Sequence, residues 1–118
     1  MKSNSCLNNL KLLLREFAEV RDWNQFHSPK NLSMALSVEV SEIVEHFQWL
    51  TEGQSKRLPK EKLGEVETEL ADTFIYLIRL ADELDIDLMD AAFNKVKINE
   101  IKYPVEKVRS SAKKYTEY

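Results

Sequence analysis

Two glycines, three prolines and one cysteine are the chain's whole stock of the residues that most free, stiffen or cross-link a backbone. So little glycine and proline excludes a sheet of many short strands, which needs turn residues at frequent intervals. One cysteine, Cys6, excludes an internal disulfide and suits a reducing compartment. An excess of positive charge is missing as well. Seventeen Lys and Arg against twenty Asp and Glu leave a net charge of -3, the wrong sign for neutralising a nucleic-acid backbone. No apolar stretch approaches the roughly 20 residues of a membrane helix, and the opening Met1-Lys2-Ser3-Asn4 carries no apolar signal core. The expectation is a cytoplasmic protein with one domain over residues 1–118 and one core.

What the chain does contain is apolar side chains at helical spacing, in four segments. Leu7, Leu10, Leu14 and Phe17 predict a first helix over about residues 5–21. After a break at 22–27, Ser28-Pro29 reads as an N-cap followed by proline in the first turn. A second helix is expected over 29–51, with Leu32, Leu36, Ile43, Phe47 and Leu50 as its core stripe. Residues 52–58 read as a polar loop, and Pro59 opens a third helix to about Leu84. Between Leu70 and Ala81 that helix is apolar on almost every side, so both faces should be covered, which points to subunit association. Asp87 and Asp90 suggest the capped start of a fourth helix over 87–102, ended by Tyr103-Pro104.

Two pairs of carboxylates stand out, Glu39 with Glu42 on the second helix and Glu69 with Asp72 on the third. Residues three apart share a helical face, so each pair can converge on one point. Spacing alone is weak, because Glu16/Glu19 and Asp82/Asp85 repeat it. Position on the helical wheel says more. At about 100° per residue, Glu39 falls on the flank of the buried stripe, and Glu69, Asp72 and Tyr76 fall on one side of the third helix. Buried ionised carboxylates need a partner or a metal, and oxygen ligands suit Mg²⁺ or Mn²⁺ rather than zinc. The other reading is two solvated acidic faces with Lys and Arg partners, and the pattern leaves both open.

Glu39-Val-Ser-Glu42 and Glu69-Leu-Ala-Asp72 together resemble the ExxE…ExxD signature of the all-α NTP pyrophosphatases of the MazG type. Arg21-Asp-Trp-Asn-Gln-Phe-His27, Phe47-Gln-Trp49, Ile75-Tyr76-Leu77, Lys95-Val-Lys-Ile-Asn99, Tyr103-Pro104 and Lys114-Tyr-Thr-Glu117 are similar to the dCTP pyrophosphatase branch of that family. The resemblance implies an all-α, four-helix-bundle-like fold assembled as an intertwined homo-oligomer, a homotetramer made of two dimers. It implies that Glu39, Glu42, Glu69 and Asp72 are catalytic and hold Mg²⁺, with Mn²⁺ a substitute. It further implies a deoxynucleoside triphosphate substrate, dCTP or a modified dCTP, split into monophosphate and pyrophosphate by water attacking the α-phosphorus. The role would be house-cleaning of the nucleotide pool.

The same resemblance gives Trp23 and Trp49 to the base pocket, Tyr76 to the deoxyribose, and Lys95 and Asn99 to the nucleotide and its phosphates. Each has a plainer reading: core tryptophans, a buried tyrosine, a solvated lysine. His27, just before the second helix, is a candidate substrate ligand or a structural residue. Glu45 lies one turn from Glu42 and could orient the water or simply face solvent. Lys113 and Lys114 could reach a neighbouring subunit's phosphates. Leu14 departs from the branch, which has a histidine there, so broader base choice is expected. The competing functions are a related pyrophosphohydrolase for dUTP, phosphoribosyl-ATP or dNTPs in general, and a non-enzymatic helical interaction module.

Overall fold

The chain leaves its first helix through a left-handed aspartate rather than a glycine. In the computed structural model, which describes residues 2–110, helix α1 (Lys2–Val20) ends where Asp22 takes φ 54°. The Asp22 N–H donates to the Glu19 carbonyl at 3.0 Å and the Trp23 N–H to the Ala18 carbonyl at 2.9 Å. These are the two bonds of a Schellman ending, which normally uses glycine at this place. A 3-10 turn follows at Asn24–Phe26.

Helix α2 (Pro29–Phe47) starts as expected, with Ser28 Oγ accepting from the Asn31 N–H at 3.1 Å and proline in the first turn. It stops four residues short of the expected end. The cause is a capping box at Thr51: its hydroxyl accepts from the Gln54 N–H at 3.1 Å, and Gln54 Oε1 accepts from the Thr51 N–H at 2.9 Å. That box starts the one-turn helix α3 (Glu52–Ser55) inside the expected loop. Leu50 therefore lies beyond the helix, although still half-buried. Helix α4 (Lys60–Glu83) follows Pro59 and ends in a second Schellman arrangement at Asp85, φ 55°.

These elements form one compact unit, residues 1–86. Helix α2 makes the main packing against α4, and α1 packs on α4 as well. Between them lie Ala18, Leu32, Val66, Ile78 and Ala81, the buried apolar side chains of the described residues. Arg15 clamps α1 to α4 by a bidentate pair with Asp82, at 2.6 and 2.7 Å. The Arg15 hydrogen bond, working against burial, holds the Asp82 carboxyl below its ordinary range.

The second unit, residues 87–118, holds helix α5 (Leu88–Lys102) and the one-turn helix α6 (Val105–Val108). Asp87 caps α5 by accepting from the Asp90 N–H at 3.0 Å. The described residues are thus all-α, with four long helices, two one-turn helices and one 3-10 turn. None of the helices is long and apolar enough to cross a membrane. Lys113, Lys114 and the Lys114–Glu117 stretch lie outside the described residues.

Candidate functional site

The packing of α2 on α4 brings carboxylates from both helices to one place. Glu39, Glu69 and Asp72 each turn an oxygen into a group whose members lie within 4.8 Å of one another, all three residues half-buried. Oxygens of two of them, Glu39 Oε2 and Glu69 Oε2, are buried with no hydrogen-bond partner in the described structure. Burial, then the charge of Glu42, hold Glu39 above the ordinary 4.5, with Asp72 and Glu69 adding to the shift. The neighbouring Glu42 carboxyl, then burial, raise Glu69 in the same way. Glu42 is thereby tied to both. Like charges this close favour protonation of one of them unless a cation enters.

Such a set fits a hard divalent cation. The donors are all carboxylate oxygens, which suit Mg²⁺ and Mn²⁺, and two of them lack any other partner. The nearest basic side chain to Glu69 in the described ion pairs is His46, with Nε2 4.0 Å from Glu69 Oε1 and Nδ1 3.8 Å from Glu65 Oε2. Sequence reasoning did not single out His46. Its signal was present, since it lies one turn after Glu42 on the flank that meets α4. Glu45 is exposed and lines, with Glu42, His46, Glu65, Thr68 and Glu69, an open depression of about 580 Å³.

On the other side of Asp72 opens a pocket of about 540 Å³ between α1 and α4, within the size range of small-ligand sites. Leu10, Leu14, Phe17 and Ile75 give it apolar walls, and Trp23, His27, Tyr76 and Arg79 line it as well. Trp23 is held by its surroundings. The Phe17 ring meets it edge-on at 5.7 Å between centroids, and Arg21 sits 3.5 Å over the Phe17 ring. The His27 ring lies 6.1 Å from that of Trp23. Asp72 belongs both to this pocket and to the acid group, so the two adjoin.

Of the residues singled out in the sequence, Glu39, Glu42, Glu69 and Asp72 are brought together, and so are Trp23, His27 and Tyr76. Trp49 is not. It is 87% exposed in the turn after α2 and lines neither pocket. Lys95 and Asn99 belong to the second unit, where they lie on α5, Lys95 exposed and Asn99 half-buried. Arg79 was overlooked by the sequence reading. It is 3% exposed, and an arginine so buried needs built partners. Its NH2 group lies 3.3 Å from Asn24 Oδ1, 3.3 Å from His27 Nδ1 and 3.1 Å from Glu83 Oε1.

The sequence profile of the MazG-like family matches residues 34–118, across both units. The chain is 44% identical over 114 residues to dCTP pyrophosphatase 1 of Homo sapiens, which covers 94% of this chain and 66% of that relative. It is 42% identical over 113 residues to the Mus musculus protein of the same name, with the same coverage. The chain thus spans just under two thirds of the length of these relatives. Among solved structures it is similar to a pyrophosphatase from Archaeoglobus fulgidus DSM 4304. That likeness has a TM-score of 0.78 at 41% identity and covers 82% of this chain and 91% of the other.

Proposed function

The chain belongs to the MazG-like family, and from that premise we propose that it is a Mg²⁺-dependent nucleoside triphosphate pyrophosphohydrolase acting on deoxynucleotides of the cytoplasmic pool. The carrying observation is the convergence of Glu39, Glu69 and Asp72 oxygens within 4.8 Å, directly beside a pocket that shares Asp72. Relatives named dCTP pyrophosphatase 1 at 44 and 42% identity support dCTP or a modified dCTP as the substrate.

On this reading Glu39, Glu42, Glu69 and Asp72 hold the cation. When bound, Mg²⁺ neutralises charge on the phosphates and polarises them. The protein's own groups do the rest. The apolar pocket takes the nucleoside and excludes water from it. Trp23 gives the base a flat face to stack on, with Trp49 a second candidate. Tyr76 lies against the deoxyribose, where a 2′-hydroxyl would lose its water without gaining a partner. That costs about 1–3 kcal/mol, or roughly ten- to a hundredfold in favour of dCTP over CTP. Glu45 orients the attacking water or takes its proton. Oxygen from water joins the α-phosphorus, the bond from that phosphorus to the bridging oxygen breaks, and pyrophosphate leaves. Lys95 and Asn99 are assigned to the nucleotide and its phosphates.

Association into a homo-oligomer, a tetramer of two dimers, belongs to the same reading. Its support is the run of open apolar side chains on α2 and α4, such as Val38, Val44, Leu70 and Phe74. The test of the activity is pyrophosphate release from dCTP, CTP, dATP, dTTP and dUTP, each with Mg²⁺ and with EDTA. Release only with Mg²⁺, and fastest from dCTP, is the expected result. No release from any triphosphate would favour the helical interaction module. With ¹⁸O water, the label should appear in the monophosphate, and label confined to pyrophosphate would contradict attack at the α-phosphorus.

A further inference from the structure

We propose that Arg79 is a positioning residue: it holds His27 as the neutral tautomer protonated on Nε2, so that the pocket offers the bound base a hydrogen-bond donor. This rests on the nucleotide reading above. The argument begins with what a guanidinium can do. It has five N–H donors and no acceptor, so the 3.3 Å contact from Arg79 to His27 Nδ1 is a hydrogen bond only if Nδ1 brings a lone pair. The ring proton then sits on Nε2.

Arg79 itself has little freedom. Its side chain is buried, with NH2 bonded to Glu83 at 3.1 Å and NH1 3.7 Å from Asp82. The two hydrogens of that NH2 group are shared among Glu83 Oε1, Asn24 Oδ1 and His27 Nδ1, so one guanidinium holds the residues at both ends of the 3-10 turn, Asn24 and His27. A second observation agrees. Burial and the Arg79 charge hold the His27 imidazole below its ordinary 6.5, which keeps the ring neutral at physiological pH.

The consequence is a ring N–H donor in a pocket whose other polar groups are the Asp72 carboxylate, the Arg79 guanidinium, the Tyr76 hydroxyl and the Trp23 indole N–H. Asp72 is committed to the acid group and, when ionised, only accepts. An Nε2–H donor therefore selects a base edge that presents an acceptor, a ring nitrogen or carbonyl oxygen such as N3 or O2 of a cytosine. Leu14, on the pocket wall, has no hydrogen-bonding group, and the His27–Arg79 pair supplies what it lacks.

Two measurements on the full chain test this. Long-range ¹H–¹⁵N spectra of the wild type, with His27→Phe to assign the signal against His46, should show His27 with a pyridine-type Nδ1 and a protonated Nε2. In kinetics, His27→Phe and Arg79→Met should each raise KM for dCTP about three- to tenfold, more than they lower kcat. The double variant should be no worse than either alone, and Arg79→Lys should recover most of the loss. A merely structural Arg79 would give additive losses instead. The proposal is overturned by a His27 protonated on Nδ1, or by additive effects on KM. If Arg79→Met does not fold, the wild-type spectrum and the KM of His27→Phe still decide it. If no triphosphate is hydrolysed at all, the functional reading falls, while the spectrum still reports the tautomer.

Discussion

Glu39 is held above its ordinary 4.5 first by burial and then by Glu42, and Glu69 first by Glu42 and then by burial. A raised folded-state value means that these groups contribute stability below about pH 4.5, and that it is lost as the pH rises through the folded value. Glu39→Gln cannot ionise. In EDTA the variant should therefore be more stable than the wild type at about pH 8, and the gap should close towards pH 4. Adding Mg²⁺ should raise the wild-type Tm by mass action, and raise that of Glu39→Gln less. Thermal melts with EDTA or Mg²⁺ across this range check both statements, and a variant less stable than the wild type in EDTA at high pH would refute the first. The acids were legible in the sequence because their i,i+3 pairs fall on the flank of an apolar stripe. Arg79 was not. Its place inside the Leu70–Ala81 run marks it for burial, but its partners Asn24 and His27 lie 55 and 52 residues away, and local spacing does not name them.

At the scale of elements, the scarcity of glycine has a structural consequence. Both α1 and α4 end through an aspartate with positive φ, Asp22 at 54° and Asp85 at 55°, where glycine has no Cβ to strain. Asp85→Gly should stabilise the protein by about 0.5–1 kcal/mol, a net of relieved left-handed strain and added chain entropy. Urea unfolding would measure it, and a loss of stability would show that the Asp85 side chain contributes more than its backbone strain removes. Helix starts were readable, since Ser28 and Asp87 cap as their sequence suggests. The end of α2 was misjudged by letting the apolar stripe run on to Leu50. The Thr51-Glu-Gly-Gln54 box that stops it carries a sequence signal of its own, one that requires a new helix rather than a loop.

At the scale of the whole molecule, the apolar inventory is larger than the core that holds it. Among the described residues up to 86 the buried apolar side chains are five, while Met34, Val38, Val44, Leu63, Leu70 and Phe74 are each about half exposed. A chain with such faces should bury them against copies of itself. Light scattering after size-exclusion chromatography should give a multiple of 13.8 kDa, four chains on the reading above, and a monomer would remove that part of the account. Family and all-α class were legible because the acid signature and the helical periods survive in the linear sequence. The surroundings of Trp49, exposed after α2, were not, because spacing says nothing about what a side chain outside a helix meets. The most direct test of the central claim is dCTP turnover at saturating Mg²⁺ by the wild type, Glu42→Ala and Asp72→Ala, each shown to be folded by circular dichroism. The account predicts pyrophosphate release by the wild type and a loss of at least about a hundredfold in both variants; near-normal rates in either folded variant would contradict it.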